Sequence, residues 1–179
     1  MRGVEQIVLV PLIGMAAIVA SCRADPSIVK IGDHQYRIPT RYIITTAAPW
    51  LPAKEKNSLI FRIFPDRNDV TVLVQSIETG CPRSADCGLA ALNFMSDERV
   101  EKEFWKEGNT QWNYVNRSRN PNIQVARCFY SEGMSDAACL TMIRHGDLTL
   151  SIAYPDRRFS EIRTFSMIAK ASLANWEIR

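Results

Sequence analysis

The sequence predicts an α+β domain in which an antiparallel β-sheet carries a C-terminal amphipathic helix packed on one face. Short runs rich in β-branched and aromatic residues follow one another along the chain, separated by turn residues. No helical pattern alternates with these runs, so a parallel, doubly wound sheet is not expected. From about Arg158 to Trp176 the apolar residues recur mostly at three- and four-residue spacing, which is typical of a core-facing helix. Asp156 or Ser160 is placed to cap the start of that helix.

Turn sequences join several of the predicted strands in pairs. Gly32-Asp33 separates the first two runs, Pro65–Asn68 the next two, and His145-Gly146-Asp147 the last two. Each of these pairs is expected to form an antiparallel hairpin. The predicted strands cover residues 28–31, 35–38, 58–64, 70–77, 111–116, 123–130, 138–144 and 148–154.

A further helix is predicted between the fourth and fifth strands. Ser96 has the side chain of a helix N-cap, acidic residues follow in the first turn, and Val100, Phe104 and Trp105 fall on one side. The helix is expected to end at Gly108. Its charged residues are expected to form an ordinary solvated surface.

The N-terminal segment matches the signal of a bacterial lipoprotein. Arg2 supplies positive charge, an apolar run follows from about Ile7, and Val19-Ala20-Ser21-Cys22 ends it with small residues before a cysteine, a pattern called a lipobox. The apolar run is shorter than the roughly 20 residues that a membrane-spanning helix needs. We therefore expect a signal peptide over residues 1–21, a lipid on the thiol of Cys22, a lipidated tether over residues 22–27 and a single α+β domain over residues 28–179.

Two alternatives stay open for this segment: an ordinary secretory signal in which Cys22 is incidental, or a buried hydrophobic helix. Under the lipoprotein interpretation the protein is anchored in the bacterial cell envelope and faces the periplasm. Arg23 and Ala24 follow the cysteine. Because no aspartate directly follows Cys22, the segment resembles that of Gram-negative lipoproteins that pass to the outer membrane. We therefore expect the protein at the outer membrane.

The charge balance does not indicate nucleic-acid binding. The chain has 22 Lys and Arg against 19 Asp and Glu, a formal net charge of +3. This excess is spread along the sequence, and no run of basic residues resembles a nucleic-acid or polybasic membrane patch. We expect a protein partner, attachment to the membrane through lipid, and no nucleic acid.

The cysteine count predicts two disulfides. With Cys22 assigned to lipid, four of the five cysteines are left, and an even number in an exported chain favours disulfides because the periplasm oxidises thiols. Of the three pairings open in principle, we prefer the sequential one. Cys81 and Cys87 flank a short loop, whereas Cys128 and Cys139 lie on successive strand-like runs. Metal ligation is disfavoured because neither Cys-x-x-Cys nor a nearby His is present, and no metal or cofactor is predicted.

The two histidines come nearest to a catalytic arrangement. His34 and His145 fall in predicted turns near Asp33 and Asp147. A His–Asp pair can orient a general base, but the Gly-x-Ser-x-Gly signature of a nucleophile is missing from the sequence. We predict solvated turns, no catalytic residues and no enzymatic activity. An enzyme with an unrecognised site around either histidine stays as an alternative.

One strand and the loop after it have the composition of a contact surface. Trp112 and Tyr114 share a strand face, and Arg117 and Arg119 follow in a polar loop. Trp, Tyr and Arg are enriched among the residues that dominate binding energy at interfaces. Trp50, in a proline-bounded loop, is a further candidate for partner binding. The alternative is packing, with Trp112 and Tyr114 beneath the C-terminal helix and Trp50 at the edge of the core.

The segment from Val29 to Ile43 carries a resemblance to a known group of proteins. Its sequence, VKIGDHQYRIPTRYI, is similar to the valine-x-isoleucine-glycine, tyrosine-x-isoleucine-proline and tyrosine-isoleucine opening of small envelope lipoproteins. That opening resembles immunity proteins encoded beside type VI secretion effectors, especially antibacterial phospholipases. The resemblance implies inhibition of a toxin in the periplasm by direct protein–protein contact. It assigns no binding residues to this chain.

The leading hypothesis is a non-enzymatic envelope lipoprotein that binds and neutralises a secreted antibacterial effector in the periplasm. The rival is a structural or assembly lipoprotein of an envelope complex. Neighbouring genes discriminate between the two. A lipase or nuclease beside secretion genes favours immunity, whereas an envelope-assembly operon favours the rival.

Overall fold

Two antiparallel sheets and one long helix form the part of the chain that the structure describes. The computed structural model describes residues 26–44, 58–80, 100–104, 110–117 and 123–178. The strands in these ranges are β1 (Ser27–Ile31), β2 (His34–Ile38), β3 (Leu59–Arg62), β4 (Thr71–Ser76), β5 (Val100–Phe104), β6 (Gln111–Asn116), β7 (Ile123–Phe129), β8 (Ala138–His145) and β9 (Leu148–Pro155). The helices are α1 (Ile77–Gly80) and α2 (Ile162–Trp176), and 3₁₀ turns cover Thr40–Tyr42 and Asp156–Glu161. The predicted fold class, α+β with the C-terminal helix packed on an antiparallel sheet, is confirmed.

The larger sheet has the strand order β3-β4-β9-β8-β7-β6-β5, and all neighbours are antiparallel. The pairing of β8 with β9 extends from Ala138 opposite Pro155 to His145 opposite Leu148. β4 and β9 are buried on both faces, since only the last residue of each strand is partly exposed. β1 and β2 form a separate hairpin, and Gly32 in its turn has φ +57°, a conformation that glycine adopts without strain.

Helix α2 packs its apolar stripe on the larger sheet. Ile162, Phe165, Ala169 and Leu173 follow helical spacing, and each is at most 1% exposed. They belong to a core to which the strands contribute buried side chains, among them Val72, Val74, Ile143, Leu150 and Ile152. None of the helices in the described ranges has the length and hydrophobicity to cross a membrane.

The C-terminal helix begins later than the sequence indicates. Residues Asp156–Glu161 form a 3₁₀ turn, and α2 starts at Ile162. No side chain makes a capping hydrogen bond at the start of either element, so neither Asp156 nor Ser160 has the predicted capping role. The Asp156 carboxylate instead accepts hydrogen bonds from side chains of β5 and β6.

The helix predicted between the fourth and fifth strands is wrong for Val100–Phe104, which form β5 at the edge of the sheet. This strand pairs with β6, so that Phe104 lies opposite Trp112. The cap and charge pattern that favours a helix is local, whereas strand formation here depends on a partner beyond the connecting loop. The predicted N-cap and end of that helix lie outside the described residues.

A disulfide joins Cys128 in β7 to Cys139 in β8, the pair preferred from the sequence. The two residues lie directly opposite each other, with their Cα atoms 4.0 Å apart. The bond therefore fixes the register of these two strands. Cys22, Cys81 and Cys87 lie outside the described residues, so lipidation and the second disulfide stay predictions.

Truncation of a core residue of α2 is expected to lower stability strongly. Phe165 is 0% exposed and contacts the rings of Phe64 and Tyr154. Phe165→Ala is expected to lower the free energy of unfolding by about 3–5 kcal/mol, because it leaves a cavity in the core. Met167, on the same helix and 58% exposed, supplies the control, and Met167→Ala is expected to change stability by less than about 0.5 kcal/mol. Urea unfolding measures both changes, and equal midpoints for the two variants would contradict this packing of α2.

Candidate partner-binding surface

The aromatic residues predicted for partner binding in β6 pack against the core. Trp112 is 5% exposed. Tyr114 is half-buried, and its ring stacks on that of Phe159 with the ring centroids 3.6 Å apart. This is the packing that the sequence left as the alternative, except that a 3₁₀ turn rather than α2 covers Tyr114. A direct contact of either residue with a partner stays a prediction.

Arg117 follows β6 and is exposed. Its Nε lies 3.1 Å from Oε2 of Glu101, and its Nη2 lies 3.7 Å from Oε1 of Glu103. Exposed ion pairs of this kind contribute about 0–1 kcal/mol, so Arg117 can exchange them for a partner's groups at little cost. Trp50 and Arg119 lie outside the described residues.

A cation–aromatic cluster joins β5 and β6 to the 3₁₀ turn before α2. The ammonium of Lys102 lies 3.8 Å from the centre of the Trp112 ring and 3.3 Å from Oδ2 of Asp156. The Tyr114 hydroxyl donates a hydrogen bond of 2.8 Å to Oδ1 of the same carboxylate. Burial, together with this hydrogen bond to Asp156, raises the pKa of Tyr114, so the phenol keeps its proton and continues to donate. The cluster attaches the edge of the sheet to the helical segment.

An open pocket lies at the end of the sheet where the β7–β8 loop meets the β3–β4 turn and the end of β9. Its volume is about 380 Å³, which lies within the usual range of ligand pockets. Tyr154 and Ala138 are buried, whereas Asn68, Ser135 and Arg157 are exposed, so the pocket is apolar inside and polar at its rim. Its lining comprises Asn68, Asp69, residues 133–138, Tyr154, Pro155 and Arg157.

The guanidinium of Arg158 binds Asp69, one of the residues that line this pocket. Its Nη1 donates to Oδ2 of Asp69 at 2.8 Å, and its Nε and Nη2 donate to the two carboxylate oxygens of Glu161 at 2.7 Å each. Arg67 also donates to Oδ2 of Asp69, at 2.7 Å. Burial acts in the opposite direction, yet the hydrogen bonds from Arg67 and Arg158 lower the pKa of Asp69. The β3–β4 turn is thereby bonded to the 3₁₀ turn that precedes α2.

Two exposed aromatic side chains lie at the same end of the sheet as the pocket. Phe104 ends β5 and is 49% exposed, and Tyr130 follows β7 and is 45% exposed. The backbone N–H of Tyr130 donates to the carbonyl of Thr110 at 2.7 Å, which places it beside the start of β6. We name the pocket together with Phe104 and Tyr130 the apical surface. The sequence did not reveal this surface, because its parts meet only in the folded chain. The available signal was Tyr130, an aromatic residue at the end of a predicted strand.

At the opposite end of the sheet, His34 lies between two carboxylates. Its Nδ1 is 2.6 Å from Oε1 of Glu177, which follows α2, and its Nε2 is 2.9 Å from Oδ1 of Asp147, in the β8–β9 turn. An ionised carboxylate only accepts hydrogen bonds, so both ring nitrogens donate and the imidazole is protonated. The solvated turn predicted for His34 is therefore wrong, since the residue starts β2 and its ring ties the hairpin to two distant segments.

The surroundings of the two histidines act on their pKa values in opposite directions. The hydrogen bonds to Glu177 and then to Asp147 raise the pKa of His34. The same contact with His34 lowers the pKa of Asp147. Burial lowers the pKa of His145. His34 therefore keeps its proton to a higher pH than His145.

No family model matches the chain, and no curated protein matches its sequence. A solved structure, that of Smlt3025, an immunity protein of the Stenotrophomonas maltophilia type IV secretion system, is similar to this chain with a TM-score of 0.47 and 14% sequence identity. The similarity covers 87% of this chain and 94% of that chain.

The stability of the protein is expected to depend on pH through His34. Because its pKa is raised in the folded chain, protonated His34 stabilises the fold below its unfolded pKa of about 6.5, and this stabilisation is lost as the pH rises through the folded pKa. Because His34→Gln removes the titrating group, the stability of this variant is expected not to fall over that pH range. At pH 6 it is expected to lower the free energy of unfolding by about 1 kcal/mol, a modest value because the side chain is 33% exposed and partly screened.

His145→Gln is the matched control for this measurement. Since the pKa of His145 is lowered, its neutral form stabilises the fold above about pH 6.5, and that stabilisation is lost as the pH falls through the folded pKa. The two variants are therefore expected to change the pH profile in opposite directions. Urea unfolding between about pH 5 and 9 gives both profiles. A His34→Gln profile parallel to that of the wild type would contradict the double ion pair.

Proposed function

We propose that this protein is a non-enzymatic envelope lipoprotein that binds a secreted antibacterial effector in the periplasm and neutralises it by direct contact. The apical surface is the observation that carries the proposal. It combines a pocket of about 380 Å³ with the exposed aromatic residues Phe104 and Tyr130 and the exposed Arg157. Aromatic and arginine side chains around a pocket are typical of interfaces in which a few buried anchors dominate affinity.

Neutralisation by occlusion sets a size for the contact. Specific complexes bury more than about 1,000 Å² in total, and in this proposal the interface extends from the pocket to Phe104 and Tyr130 at the same end of the sheet. Within the described residues Arg157 forms one ion pair, from Nη1 to Oδ2 of Asp136 at 2.5 Å, and its other N–H groups can donate to a partner. In this proposal an apolar side chain of the effector fills the pocket, and Arg157 binds polar groups beside it.

The state of His34 supports a binding function rather than proton transfer. A general base must present a nitrogen lone pair to its substrate. Both ring nitrogens of His34 instead donate hydrogen bonds, to Glu177 and to Asp147. The histidine that the sequence left as a candidate catalytic base therefore attaches the N-terminal hairpin to the rest of the fold.

The choice of a type VI phospholipase effector rests on the resemblance of the segment from Val29 to Ile43. In the structure this segment includes most of the hairpin, with Gly32 in the turn, and with Tyr36 and Ile38 only 3% and 0% exposed. These positions specify the hairpin and its packing. Effector recognition is therefore assigned to other residues, and the effector class is proposed from the resemblance alone.

Lipidation of Cys22 is expected to anchor the protein. The mature protein should begin at Cys22, carry acyl chains and partition into detergent, because small residues precede that cysteine after an apolar run. Cys22→Ala is expected to abolish acylation, whereas Ser21→Ala keeps a small residue in place and is expected to leave processing intact. Intact-mass analysis distinguishes these results. An unmodified Cys22, or cleavage elsewhere, would contradict the anchor.

Variants of the apical surface are expected to weaken the complex with the effector. Cells that produce the cognate periplasmic effector, encoded by a neighbouring gene, should survive only when this protein is co-produced. Ser135→Trp places a large ring at the pocket, and Tyr130→Ala removes an exposed aromatic. Each is expected to raise the Kd by about tenfold or more, because loss of a central anchor costs above about 1–2 kcal/mol. Calorimetry with the purified pair measures the change.

Ala174→Trp is the matched control, since Ala174 is exposed near the other end of α2. This variant is expected to bind as the wild type does, and thermal unfolding establishes that all variants are folded. If Ser135→Trp and Tyr130→Ala bind the effector with wild-type affinity, the apical surface is not the interface. Survival without the protein, or failure of the purified pair to associate, would contradict the immunity function and favour the envelope-assembly alternative.

A further inference from the structure

The N-terminal hairpin has one face in the core and one face in solvent. Alternate residues of a strand point to opposite sides. On the solvent side, Ile28 lies opposite Arg37 and Lys30 lies opposite Gln35, and all four residues are exposed. Seven positions separate Lys30 from Arg37 in the sequence, so no basic run is present there, and only the strand pairing places the two cations on one face.

Charge and an exposed apolar side chain occur together at this site. Ile28 is 63% exposed, a larger fraction than that of the other large apolar residues exposed in the described ranges. A third exposed cation, Arg41, lies in the 3₁₀ turn just after β2. In the ranges that the structure describes, Lys30, Arg37 and Arg41 form no ion pair. We name Ile28, Lys30 and Arg37 the basic face; the guanidinium of Arg41, which follows in the chain, lies 5.2 Å from the centre of the Tyr42 ring.

The position of the basic face in the chain connects it with the predicted lipid anchor. β1 begins at Ser27, five residues after Cys22. Five residues of fully extended chain span at most about 18 Å. A lipid on Cys22 therefore keeps the start of the hairpin within about that distance of the bilayer surface, where the phosphates of anionic lipids attract Lys and Arg.

We propose that the basic face docks on an anionic bilayer surface, with Lys30 and Arg37 at lipid phosphates and Ile28 in the interfacial layer. The proposal goes beyond the binding of an effector and rests on the anchor at Cys22. The lipid alone tethers the domain without orienting it. The basic face supplies a second contact of a different chemistry, and two membrane contacts define an orientation that one cannot.

A chain that begins at residue 22 and carries Cys22→Ser cannot be lipidated. Its binding to vesicles therefore tests the basic face without the lipid. Every strand and helix described begins at Ser27 or later, so this chain keeps all of them. Sedimentation with vesicles of phosphatidylglycerol, and with vesicles of phosphatidylcholine, measures its binding. Binding is expected to the anionic vesicles alone, and to disappear at about 1 M salt, where the Debye length falls to about 3 Å.

Charge reversal within and outside the basic face tests the site. Lys30→Glu/Arg37→Glu is expected to lower partition into phosphatidylglycerol vesicles by at least about tenfold, given the usual contribution of each cation near an anionic surface. Arg127→Glu/Arg163→Glu changes the net charge by the same amount at exposed positions away from the hairpin and is expected to bind nearly as the parent chain does. Equal loss in the two double variants, or equal binding to both kinds of vesicle, would overturn the proposal.

The apolar contact has its own matched pair of variants. Ile28→Ser is expected to weaken vesicle binding several-fold, whereas Met167→Ser, at a residue 58% exposed on α2, is expected to leave it unchanged. The Lys30→Glu/Arg37→Glu chain is expected to bind the purified effector with unchanged affinity. Loss of that affinity would indicate that the basic face binds an acidic surface of the effector, and it would overturn the proposed membrane contact. Vesicle binding needs no effector, so its failure leaves the apical proposal standing.

Discussion

The register of β7 against β8 determines where several structurally important side chains lie. The Cys128–Cys139 disulfide joins directly opposed residues, and a slip by one residue would move the side chains of one strand to the other face. With this register, Trp112 lies opposite Cys128 and Tyr154 lies opposite Cys139, which forms one row across four strands. Asp156 follows two residues after Tyr154, and its Oδ1 lies 3.4 Å from Sγ of Cys139. The disulfide, the cation–aromatic cluster and the start of the helical segment are thus positioned together.

Ion pairs at the two ends of the sheet differ in what they contribute. Arg158 is 8% exposed and bonded to two carboxylates, so its largely buried charge depends on these partners for hydrogen bonds. Arg117 is exposed, and its pairs are worth about 0–1 kcal/mol. The ion pairs of His34 are intermediate, because its side chain is partly exposed yet donates to two carboxylates. The β3–β4 turn, which contributes Asp69 to the pocket, is therefore held by a more buried ion pair than the one that attaches the hairpin.

The sequence pattern predicted the elements whose own residues show the spacing of a buried face. β6, β9 and α2 were found because β-branched or apolar residues recur there with the period of the element that forms. Val100–Phe104 lack that signal, since none of these residues is buried, and their conformation follows from pairing with β6. The ion pairs of His34 were missed for a related reason. Its partners lie 113 and 143 residues away, and no window of sequence contains them. The apical pocket and the basic face likewise arise from register and loop packing, which composition alone does not determine.

The attachment point of the hairpin and the apical pocket lie at opposite ends of the same strand, β9. Asp147, to which His34 of the hairpin is bonded, directly precedes β9, and the pocket residue Tyr154 lies near its end. Eight residues of extended strand separate the two ends by about 26 Å. A hairpin that rests on the bilayer would thus hold the apical surface at a distance from the lipid, where a protein partner can approach it without displacing the membrane contact. In this proposal the hairpin makes the membrane contact, and effector binding is left to the loops at the other end of the sheet.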